Sequence, residues 1–87
     1  MLGVLAFSRN CFATGMPRPP QLKILGEAIR SHRKQSNMSQ EELAEKANLH
    51  PVYIGKVERG EQWISLHALL RVAKALGLRI KDLVREL

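Results

Sequence analysis

The chain has 87 residues, enough for one domain around one core and too few for two. Charged side chains make up 25 %, aromatics 5 %, and 14 Lys and Arg against 8 Asp and Glu leave a net charge of +6. This balance suits an anionic partner, nucleic acid or an anionic membrane, but a basic domain with no such partner would carry the same charge. Cys11 is the only cysteine, which excludes an internal disulfide and fits a reducing cytoplasm. His32, His50 and His67 have no ligand-like arrangement of cysteines or carboxylates around them, so neither a metal nor a cofactor is expected. No apolar run approaches the roughly 18 residues of a membrane span.

Residues 1–21 differ in composition from the rest: MLGVLAF is apolar, SRNCFATG small and polar, MPRPPQ proline-rich. The arginine follows the short apolar run instead of preceding it, which argues against a signal peptide. Two readings stay open. The segment is a flexible arm, or translation starts at Met16 and the first fifteen residues are an artefact of gene assignment.

From Leu22 the pattern is helical and no stretch alternates with period two, so the fold class expected for 22–87 is all-α. Leu22, Leu25 and Ile29 stripe a first helix that runs to about Gln35, where SNMS breaks it. Ser39 followed three residues later by Glu42 is a capping box for a second helix, with Leu43 and Ala47 on its core face. Asn48 tolerates the left-handed conformation of a tight turn. Pro51 suits the first position of a third helix and Gly60 its stop. Ser65 caps a fourth helix, whose Leu66, Leu69, Leu70, Ala73 and Leu76 predict a wide core stripe, and Gly77 ends it. Ile80, Leu83, Val84 and Leu87 mark a short fifth helix.

In the third helix Ile54 and Val57 share one face, while Tyr53, Lys56 and Arg59 recur every three residues on another. The turn before it, Asn48-Leu49-His50, is only about three residues long. Two short helices so joined outline a helix-turn-helix, whose second helix enters the DNA major groove. The Ile54/Val57 face would lock onto neighbouring helices and leave the opposite face for bases and phosphates.

These residues carry a family resemblance. MSQEELAEKANLHPVYIGKVERG followed by SLHALLRVAKALGL, with LGEAIRSHRKQSN before them, resembles the Cro/lambda-repressor-like (Xre-type) helix-turn-helix family over roughly residues 22–87. With the Tyr53-Ile54 pair before ERG, it is similar to the small controller proteins of restriction–modification systems and to phage-type repressors. The resemblance implies a compact five-helix DNA-binding domain, usually dimeric, that binds a double-stranded operator to regulate transcription. Gln40 matches a phosphate-contacting position at the start of the second helix. Pro51, Val52 and Lys56 match base-facing positions: Lys56 can reach guanine O6 and N7, and Val52 can offer only apolar contact to a thymine methyl. Tyr53 and Arg59 would serve phosphates, although Arg59 could equally be a solvated charge. Arg33 and Glu58 match a family ion pair between the first and third helices.

The sequence also departs from the family. Asn48 holds a position often occupied by glycine. His50, grouped with the DNA-facing residues, stands where Ser or Thr commonly caps, so weaker capping is expected. Pro51 gives up a hydrogen-bonding reader. Trp63-Ile64 replaces a polar-proline pair, and this apolar loop must cover core or meet a partner. A symmetric homodimer is expected, with Ile64, Ile80, Val84 and Trp63 meeting their copies; alternatively Leu83 and Leu87 close the core and Trp63 lies over it. An antitoxin-like interaction module, holding a toxin or other protein partner and autoregulating through the same helices, is the other functional reading. An enzyme is not expected, since no nucleophile with a base, carboxylate pair or phosphate-binding glycine loop is visible.

Overall fold

The computed structural model describes residues 18–87; the arm or alternative start expected over residues 1–17 lies outside the described residues. Five helices follow: α1 (Pro20–Gln35), α2 (Gln40–Ala47), α3 (Pro51–Glu58), α4 (Leu66–Leu76) and α5 (Ile80–Val84), with no strand among the described residues. Helix α1 begins at Pro20, two residues ahead of the boundary expected at Leu22. Pro19 and Pro20 do not prevent this, because the first helical N–H groups have no partner to lose.

One core serves all five helices. It holds Leu25 and Ile29 of α1, Leu43, Ala44 and Ala47 of α2, Ile54 and Val57 of α3, Leu69, Val72 and Ala73 of α4, and Leu83 of α5. Helix α2 packs on α4 and on α3, α1 crosses α3, and α5 closes against α1 and α4. The α1–α3 crossing is close: a Cβ on Gly26 would fall inside the contact distance of the Val57 and Glu58 carbonyl oxygens. Glycine is therefore required there by space.

The first four helices end alike. Asn37, Asn48, Gly60 and Gly77 have φ between 57 and 75°. Each donates its N–H back to the carbonyl three residues earlier, and the next N–H reaches five residues back, as in Asn48 to Glu45 and Leu49 to Ala44. This double bond pattern satisfies carbonyls that a helix end leaves free. After three of these stops the following residue is Met38, Leu49 or Leu78, each packed against the core. After α3 it is Glu61, which is exposed.

The capping box of α2 forms as expected, with Ser39 Oγ accepting from Glu42 N–H (3.0 Å) and Glu42 Oε1 from Ser39 N–H (2.8 Å). Ser65 Oγ caps α4 by accepting from Ala68 N–H (3.1 Å). The start of α3 is better capped than its sequence suggested, because His50 Nδ1 accepts from Val52 N–H at 3.1 Å. The stripe expected on α4 is corrected. Leu69 and Ala73 are buried and Leu76 half-buried, but Leu66 and Leu70 are 67 % and 53 % exposed. The core takes Ala68 and Val72 instead, which turns Leu66 and Leu70 to solvent.

Candidate nucleic-acid interface

The turn Asn48-Leu49-His50 sets α3 against α2, and Ile54 and Val57 fix α3 by burial to within 2 % exposure. What remains outward on α3 is Val52, 56 % exposed, with Lys56 and Arg59, also exposed, and Pro51 half-buried at its start. Gln40, Glu41, Pro51, Val52, Gly55 and Arg59 line an open notch between the starts of α2 and α3. The notch exists because residue 55 lacks a side chain: a Cβ there would meet the Arg59 guanidinium at 3.2 Å and the Gln40 amide oxygen at 3.5 Å.

Behind this surface lies a buried ion pair. Arg33 of α1 donates from Nε to Glu58 Oε2 (2.7 Å) and from Nη2 to Oε1 (3.0 Å), with a third bond from Nη1 to the Met38 carbonyl (2.8 Å). The sequence paired these residues. It did not foresee that Gln40 Nε2 also donates to Glu58 Oε1, at 3.0 Å. Gln40 thus commits one amide hydrogen to Glu58 while lining the notch with the rest of its side chain. The first backbone N–H groups of α2 have no acceptor within the helix and can meet an anion.

Tyr53 is half-buried against the core, not set out beside Lys56. Its hydroxyl oxygen accepts from Ser65 N–H at 3.1 Å and ties α3 to the start of α4, leaving the phenolic hydrogen free to donate. Arg59 is engaged as well, donating from Nε (2.9 Å) and Nη2 (3.2 Å) to the carboxylate of Glu61. That hydrogen bond, with the positive charges of Arg59, Arg18 and Lys56 behind it, holds the Glu61 carboxyl below the usual carboxylate range, and Glu61 raises the Arg59 guanidinium in turn.

The four residues expected at a dimer contact do not share one fate. Ile64 is buried in the core of its own chain and leaves the expected surface, because the loop turns it inward just before the α4 cap. Ile80 and Val84 are half-buried against the same core. Trp63 stays 43 % exposed, near Leu66 and Leu70 in sequence. Those two leucines, one turn apart on α4, are the apolar surface that sequence periodicity misplaced.

A short α2, a tight turn and a solvent-facing α3 locked by its inner face define a DNA-binding helix-turn-helix protein. The helix-turn-helix family model matches residues 29–83, and the chain belongs to that family. Among its relatives, the control protein C.SmaI of Serratia marcescens is 47 % identical over 62 residues, 71 % of this chain and 74 % of that protein. The control protein C.BamHI of Bacillus amyloliquefaciens is 44 % identical over 62 residues, 70 % and 76 % of the two chains. In three dimensions the fold is similar to the restriction–modification controller protein C.AhdI of Aeromonas hydrophila, with a TM-score of 0.73, 35 % identity, and coverage of 75 % of this chain and 98 % of that one. The protein is a DNA-binding transcription regulator.

Proposed function

We propose that the protein controls a restriction–modification gene pair by binding operator DNA as a symmetric dimer. The observation that carries this reading is the outward face of α3. Val52 and Lys56 are exposed on a helix whose other face is fully fixed, so they can meet base edges without rearrangement. The similarity to control proteins C.SmaI and C.BamHI supports the class of gene controlled.

In this mechanism α3 enters the major groove with His50 and Pro51 leading. Lys56 donates to guanine, and Val52 packs on a thymine methyl. Gln40, the first N–H groups of α2, Arg59 and the Tyr53 hydroxyl hold phosphates on either side and set the register. Because Gln40 hangs on the Glu58–Arg33 pair, its clamp is positioned by the crossing of α1 and α3. One two-turn helix reads only a few base pairs, so two copies share the operator with reading helices about 34 Å apart. The contact between copies is Leu66, Leu70 and Trp63, extended by Ile80 and Val84.

The test is titration of the DNA upstream of the gene, against a scrambled duplex, over a range of salt. With about six to eight phosphates contacted per dimer, log K against log [salt] should slope near −5 to −7, and the upstream duplex should bind more tightly. A slope near −1, or equal affinity for both duplexes, overturns the reading.

A further inference from the structure

We infer that Glu61 occupies the place of a DNA phosphate on Arg59, and that it weakens the binding of DNA that offers phosphates alone. The inference rests on the proposed role of Arg59 as a phosphate contact.

Three observations converge on Glu61. The first is its position in the chain. The stops of α1, α2 and α4 are each followed by an apolar residue that packs on the core, whereas α3 is followed by an exposed carboxylate. The stop itself needs only backbone: Gly60 N–H donates to the Val57 carbonyl and Glu61 N–H to that of Lys56, at 3.0 and 2.9 Å. The Glu61 side chain is therefore not required to end the helix.

The second is what the carboxylate does instead. It accepts two hydrogen bonds from Arg59, on Nε and Nη2, the forked arrangement a phosphate would use. The third is where this happens. The Arg59 guanidinium lies over Gly55 and beside Gln40, on the rim of the notch between α2 and α3. Lys56 and Arg18 also act on the Glu61 carboxylate electrostatically, so it offsets positive charge beyond that of Arg59 alone.

Both partners are exposed, with side chains 56 % and 40 % accessible, so the pair is weak and easily exchanged. On DNA, Arg59 transfers from Glu61 to a phosphate oxygen. The phosphate releases its counterion while Glu61 takes one up, so the exchange adds nothing to the salt dependence. Binding by phosphate contacts alone bears this opposition in full. At an operator the same opposition applies and the base contacts of α3 outweigh it, so Glu61 holds down non-specific occupancy while operator binding persists.

The experiment compares wild type, Glu61→Gln, Arg59→Ala and the double variant on a scrambled duplex, with thermal melts as a check on folding. Glu61→Gln should melt like wild type and bind the scrambled duplex about two- to fivefold more tightly per protomer, the range spanned by an exposed ion pair. Its salt slope should steepen by about 0.9 per protomer. In the Arg59→Ala background the same substitution should do neither. An unchanged or weaker affinity for Glu61→Gln overturns the inference, as does a gain of full size in the Arg59→Ala background, which would mark a general charge effect. Arg59→Ala alone reports on the underlying reading: weaker binding at a slope close to that of wild type supports the phosphate contact, since the exchange contributes none, and unchanged binding overturns that contact and the inference together.

Discussion

Glu58 meets Arg33 with both carboxylate oxygens, at 2.7 and 3.0 Å, and shares one of them with Gln40. The pair crosses from α1 to α3 with side chains 9 % and 2 % exposed. Removing one partner leaves the other charge buried and unpaired. Arg33→Met should therefore lower stability by about 3–5 kcal/mol in urea unfolding. Replacing both, Arg33→Met with Glu58→Leu, should recover much of that loss, since no charge is then stranded. A cost below about 1 kcal/mol for the single change would show that the stranded carboxylate finds water or another partner.

Two glycines make contrasting predictions. At Gly26 an added methyl runs into backbone carbonyls of α3, which cannot step aside without parting α1 from α3. Gly26→Ala should cost about 3 kcal/mol or more, at the severe end for a single substitution. At Gly77 a Cβ meets nothing within 4 Å, but φ is +72°. There the penalty is backbone strain alone, about 1–2 kcal/mol. Equal melting temperatures for the two variants would mean that the α1–α3 crossing is softer than its geometry implies.

Local chemistry was the legible part of this fold. The Ser39–Glu42 box, the Asn48 turn, the Ser65 cap and the Gly60 and Gly77 stops are written within a few residues of where they act. The Arg33–Glu58 pair, 25 residues apart, was legible only through the family resemblance. Periodicity failed on α4, where apolar residues cover most of the circumference. Hydrophobicity could not say that Ala68 and Val72 go inward while Leu66 and Leu70 stay out. Ile64 and Trp63 were equally ambiguous, and one covers the core while the other does not. At the interface, sequence placed side chains on the right helices but not their partners. Gln40 on Glu58, Tyr53 on Ser65 and Arg59 on Glu61 depend on how helix ends meet in space.

Lys56 and Gln40 should separate reading from clamping. Lys56→Ala should cost about 1–3 kcal/mol on the best operator and relax the preference at one base pair per half-site. Gln40→Ala should weaken all duplexes alike, because phosphates carry no sequence. Gln40→Ala also removes a hydrogen bond to Glu58, so it should lower stability by about 1 kcal/mol or more, which Lys56→Ala should not. If Gln40→Ala changed base preference and Lys56→Ala did not, the two roles would be reversed.

The proposed dimer is best tested at Leu66 and Leu70. Ile80 and Val84 are half-buried, so a charge there would disturb the core as well as any contact between copies. Leu66 and Leu70 are mostly exposed in the single chain and lie one turn apart on α4. Aspartate at both removes an apolar surface that a monomer has no need of, at little cost to folding. Across a two-fold axis the same change buries four carboxylates in one contact, which no dimer would tolerate without partners. Leu66→Asp with Leu70→Asp should therefore stay folded, with a melting temperature that no longer depends on protein concentration, sediment as a monomer, and lose most affinity for a two-half-site operator. Its affinity for an isolated half-site should be kept, because α3 and its phosphate contacts are untouched. If the double variant still sediments as a dimer, the copies meet elsewhere. If the wild type is monomeric at tens of micromolar and binds half-sites as well as full ones, the operator is read one domain at a time.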